Sequence, residues 1–143
     1  MPFGFESPIA GIAGFAAVKL VGYTAVARQM KRAEPEARRH FLTVGLCRTV
    51  LGLIFGAAYG LGVGGGLVAV ERVIGDLVPV LFYAGLFPVR LLEWDIIMRL
   101  FFRGLRTPGP VAWRWRLAGT GWSYALDIPA MLGLFATGRM WIC

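Results

Sequence analysis

Six ionisable residues stand inside stretches of sequence that are otherwise apolar: Lys19, Arg48, Arg90, Glu93, Asp95 and Asp127. Carrying one such group into hydrocarbon costs about 2.5 to 3.5 kcal/mol on insertion scales, so each is expected to be paired or to serve a function. Three are cations and three are acids, and two chemistries follow from that balance. The six can satisfy one another as ion pairs that fix helix register. Alternatively, they can line a polar cavity that holds an ion, a proton or a lipid headgroup, with Arg48 and Arg90 attracting an anionic group and Glu93, Asp95 and Asp127 carrying protons or a coupling cation.

Other reactive combinations are thinner. Ser123 and Asp127 are four apart on a helical face and His40 lies at a similar depth, an outline of a serine hydrolase without a nucleophile elbow around the serine. Ser123 is better expected to cap a fourth helix from the turn that begins at Gly119. Two cysteines and one histidine are too few ligands for a zinc or iron-sulfur site, and no cofactor motif is present, so neither metal nor cofactor is expected. Cys47 reads as small packing material, and Cys143 falls too far away to bridge to it. Gly60, Gly62, Gly64, Gly65 and Gly66 have neither a preceding strand nor a following Lys-Ser/Thr, so they do not make a phosphate loop. They predict a weak, bent or re-entrant helix end.

The elements that must position these residues follow from composition. The 143 residues are 57% hydrophobic and 16% charged, with mean hydropathy +0.66, against about 25% charged in soluble domains. Four apolar runs cover residues 8–27, 41–61, 77–102 and 122–142, each near the roughly 20 residues that a helix needs to cross about 30 Å of hydrocarbon. Spans in lipid must be helices or closed barrels, and four segments cannot close a barrel. The expected fold is therefore all-α, a single bundle of four transmembrane helices.

Net charge is +7, and apart from Lys19 and Lys31 the basic residues are all arginine. Most of them cluster between the first and second runs (Arg28, Lys31, Arg32, Arg38, Arg39) and between the third and fourth (Arg103, Arg106, Arg114, Arg116), whereas the segment between runs two and three has Arg72 alone. The positive-inside rule places the loops 28–40 and 103–121 in the cytoplasm and both termini outside, in a bacterial-type inner membrane. Ala25-Val26-Ala27 resembles a signal-peptidase site, but the start has no basic residue, so the first helix is expected to be retained. No soluble module remains to hold nucleic acid.

With that orientation, Lys19, Arg48, Glu93, Asp95 and Asp127 fall about 8 to 14 Å inside the cytoplasmic boundary and Arg90 a turn deeper, so one charged layer is expected across all four helices. Gly45, Gly52, Gly56 and Gly60 make a small-residue stripe beside Arg48, suited to close helix packing. Arg90, Glu93 and Trp94 share one face of the third helix, and Asp95 and Arg99 nearly the opposite one. Trp113, Arg114, Trp115 and Arg116, with Arg103 and Arg106, have the composition of an interfacial anchor that meets anionic lipid headgroups.

The functional expectation is a small transporter or channel-like protein, moving an ion or a small polar or lipidic solute past the charged layer, as a homo-oligomer or within a larger membrane complex. The alternatives are a non-catalytic accessory subunit of such a complex and, last, a membrane-embedded lipid-modifying enzyme using Glu93, Asp95 or Asp127 as acid or base.

Overall fold

The structure is a computed structural model and describes residues 8–34, 40–67, 73, 75, 77–107 and 109–137. Those residues form four long helices and no strand. Helix α1 runs Pro8–Ala33, α2 Phe41–Tyr59, α3 Leu77–Phe101 and α4 Pro110–Thr137. Each helix packs against the next, and α4 returns to α1, which closes a four-membered ring.

Local chemistry sets the ends. His40 caps α2 in extended conformation and its Nδ1 accepts from the Leu42 amide, at the outer limit of hydrogen-bond distance, 3.4 Å. Lys31 and Arg32 sit in the last turn of α1, where cations face the exposed carbonyls. Pro110 starts α4, where its missing N–H would have had no helical acceptor, and the Trp113 amide closes the first turn on the Gly109 carbonyl at 2.9 Å. Past Tyr59 the glycines do not fold the chain back. The helix widens into a π segment over Gly60–Gly64 and resumes to Leu67.

Two helix ends differ from expectation. Helix α1 continues past residue 27, so Arg28, Lys31 and Arg32 are on the helix instead of in a loop, while Arg38 and Arg39 lie outside the described residues. Helix α4 starts at residue 110 and not 122, because Pro110 nucleates it and nothing in Trp113–Leu117 opposes helix. The connection at that end shrinks to Phe102, a 3-10 turn at Arg103–Leu105 and a few further residues, tied back to the residue after α1 where the Gly104 amide donates to Glu34 Oε1. Residues 138–142 of the fourth run, Arg72 and Cys143 lie outside the described residues.

The apolar core occupies the half of the bundle nearest this basic end. Tyr23, Val26, Ala27 and Met30 of α1 meet Val44 of α2, Trp94, Ile97 and Met98 of α3, and Phe102, Leu105 and Ala112. Elsewhere large apolar side chains point outward, among them Val18, Leu46, Val50, Ile54, Leu61, Val80 and Leu100. One described helical stretch, Phe41–Leu67, is long and apolar enough to cross a membrane, and only 28% of its most apolar window is buried inside the bundle.

Candidate functional site: a buried ionic network

At the middle of the bundle all four helices contribute a charged side chain to one network. Lys19 Nζ lies 2.8 Å from Asp127 Oδ1, and Arg90 Nη2 lies 3.0 Å from Asp127 Oδ2. Arg90 Nη1 then reaches Glu93 Oε2 at 3.1 Å, and Arg48 Nη2 reaches the same oxygen at 2.6 Å. The chain of contacts is therefore Lys19, Asp127, Arg90, Glu93, Arg48, and every member is at most 5% exposed.

Neutral side chains complete it. Ser123 Oγ accepts from Arg48 Nη2 at 3.1 Å and from the Trp94 indole at 3.0 Å, and donates to the Gly119 carbonyl at 3.0 Å. The Arg48 guanidinium also lies over the rings of Tyr23 and Trp94, 4.5 Å and 5.1 Å from their centroids, and those two rings meet edge to face. Lys19 Nζ sits 4.4 Å from the Phe15 ring centroid.

Glycines let these large groups enter. A Cβ at Gly119 would strike the Trp94 ring at 2.5 Å, and one at Gly52 would come within 2.9 Å of Arg48 Nη1 and 3.5 Å of Arg90 Nη1. Gly45 permits the approach of α1, since a Cβ there would lie 3.0 Å from the backbone of Thr24. Gly56 is half-buried. Gly60 does not continue the packing stripe: a Cβ there would meet open space, with no neighbouring helix within 4 Å of it.

Asp95 is not part of this network. It projects from the other side of α3 and pairs with Arg99 at 2.6 Å and with Arg116 at 2.5 Å. Arg116 is thus not an interfacial anchor. It is 4% exposed, with its guanidinium 5.4 Å from the Trp113 ring centroid, because α4 begins early enough to turn it inward. Of the remaining anchor residues, Arg103, Trp113 and Arg114 are exposed, Arg106 is exposed but donates to the Arg99 carbonyl, and Trp115 packs against the core. Val111, Arg114, Trp115 and Ala118 line a shallow groove of about 350 Å³.

The charged groups consequently form two tiers instead of one layer. Asp95 with Arg99 and Arg116 lies toward the basic end, and the five-membered network lies deeper. On the far side of the network α3 contains Pro88, which leaves the Ala84 carbonyl without its helical donor. Two phenols bond to carbonyls of that same turn: Tyr124 Oη donates to Tyr83 at 2.7 Å and Tyr59 Oη to Phe82 at 2.9 Å. Counted along α3 at about 1.5 Å per residue, polar contacts from Phe82 to Arg99 extend over about 25 Å.

Ser123 is in the interior of α4 and caps nothing, because the helix starts well before it. His40 is at the exposed tip of α2, so Ser123, Asp127 and His40 do not assemble as a hydrolase. Glu93, Asp95 and Asp127 are each held by two cations. Cys47 is a half-buried free thiol packed against the core. Sequence reasoning missed Tyr23 and the network role of Ser123, since a neutral polar residue in an apolar run gives little signal. Compared with protein-family models, curated proteins and solved structures, the chain matches none.

Proposed function

We propose that this chain is a four-span helical protein of the inner membrane that moves an ion or small polar solute along the polar file inside its bundle. The observation that carries the reading is the network itself: five ionisable side chains drawn from all four helices, at most 5% exposed, and linked in unbroken contact. Ionisable groups inside spans characteristically mark solute and proton pathways. The Tyr59 and Tyr124 contacts extend polar groups beyond the network on the side away from the basic end, while Asp95 and Arg116 add a separate part-buried pair between α3 and α4.

The outward apolar side chains and the long helix at Phe41–Leu67 support the membrane placement. Arg28, Arg32, Arg103 and Arg114 are exposed at the end reached by the C-terminus of α1 and the N-terminus of α4. That end is assigned to the cytoplasm, facing anionic headgroups, and the opposite end, with both termini, to the outside. A bundle this small has limited interior, so a homo-oligomer is proposed as the working unit.

The test is reconstitution. Purified full-length protein in liposomes should carry proton or chloride flux under an imposed potential, read with entrapped dyes, and Arg48→Gln should reduce it at least tenfold. Absence of either flux from correctly folded wild type would remove the ion-conducting reading. One observation favours the accessory-subunit reading instead: Leu42, Leu46, Leu53 and Ile54 leave α2 with an uncovered apolar face suited to a larger partner. Stoichiometric co-elution of another chain after gentle extraction would support it.

A further inference from the structure

The charges of the deep network do not cancel. Lys19, Arg48 and Arg90 face Glu93 and Asp127, and the third acid of the apolar runs, Asp95, is taken by Arg99 and Arg116. One unit of positive charge is left in the most buried part of the bundle, where uncompensated charge is most costly. The same groups carry surplus donors. Arg48 Nε, Arg48 Nη1 and Arg90 Nε are buried and have no acceptor, although Arg48 is 0% and Arg90 4% exposed. A buried guanidinium N–H without an acceptor forfeits a charge-assisted hydrogen bond.

We infer that the bundle interior binds a small monovalent anion at the unpaired N–H groups of Arg48, whose Nη1 lies beside Gly52. One excess charge calls for one negative charge. The Tyr23 and Trp94 rings lie over the Arg48 guanidinium, so the ligand approaches at its edge, in the plane where the N–H groups point. Arg48 Nη1 faces Gly52, where a Cβ would stand 2.9 Å away, so no side chain competes for that N–H, whereas Arg90 Nη1, 3.5 Å from the same point, is held by Glu93. A halide matches this chemistry: it is monovalent, accepts several N–H groups at once and needs no directional partner. The inference rests on the proposed conducting role and names its solute class.

The test uses the full chain in detergent micelles, with sodium chloride exchanged for sodium gluconate at constant ionic strength. Thermal unfolding followed by circular dichroism should shift upward with chloride and saturate. Lys19→Gln leaves two cations against two carboxylates and should weaken the chloride dependence at least tenfold. A wild type indifferent to chloride overturns the proposal. So does an undiminished dependence in Lys19→Gln, or its loss in the surface variant Arg103→Gln/Arg114→Gln, which would move the anion to the basic end. Should Lys19→Gln not fold, the chloride-35 linewidth decides: wild type should broaden it and excess bromide should reverse the broadening, whereas an unbroadened line rejects the site. Chloride binding without chloride flux would refute conduction and leave the site standing. Flux without chloride-dependent stability would do the reverse.

Discussion

Glu93 is the hinge of the network, because its carboxylate holds Arg48 and Arg90 together where all three side chains are buried. Glu93→Gln should therefore destabilise by about 3 to 5 kcal/mol, the cost of leaving buried charge uncompensated, as read by thermal unfolding in micelles. Removing both members of a pair is expected to cost far less, so Arg48→Met/Glu93→Met should recover most of that loss. Asp95 is a lesser case, since its side chain is 21% exposed and Arg99 is mostly in solvent. Asp95→Asn should cost about 1 to 3 kcal/mol, chiefly through the stranded Arg116. The six charges were legible in the sequence because each interrupts an apolar run. Their pairing was only half legible: helical periodicity separated Asp95 from Glu93, yet simple counting balanced three acids against three bases. That count failed because Arg116 was expected in a loop, and its inward turn is what claims Asp95.

At the scale of elements, helix existence was readable and helix ends were not. Apolar length announces a helix, but charged and aromatic residues extend α1 to Ala33 and start α4 at Pro110, where hydropathy alone finds a loop. Helix propensity and the Pro110 start override polarity there. The glycine stripe was legible only where another backbone comes near. Gly45→Val should destabilise by about 1 to 3 kcal/mol, because its side chain would meet Thr24 main-chain atoms that cannot rotate away, and Gly60→Ala should be nearly neutral. Unfolding of the two variants side by side checks both halves of that statement. Tyr124→Phe should remove about 0.5 to 1.5 kcal/mol, the share of one hydrogen bond to the Tyr83 carbonyl next to Pro88.

For the whole molecule, the basic end sets the proposed topology, and accessibility to a membrane-impermeant thiol reagent tests it. In a background with Cys47 and Cys143 replaced by serine, Gly62→Cys should label in intact spheroplasts and Thr107→Cys only after lysis. Both positions are exposed on the bundle, at opposite ends. The reverse pattern would invert the assignment. The link between Lys19 and Asp127 also joins the first helix to the last, which bears on how the chain matures. As α1 to α3 leave the ribosome, Lys19 has no acid yet and Arg90 must share Glu93 with Arg48. On the proposed membrane placement, the early helices would enter the bilayer as unfinished ionic partners until α4 delivers Asp127 and Ser123. On that placement, arrival of the fourth helix would be a checkpoint in biogenesis, and chains truncated before α4 should be degraded faster than the full chain in a pulse-chase measurement.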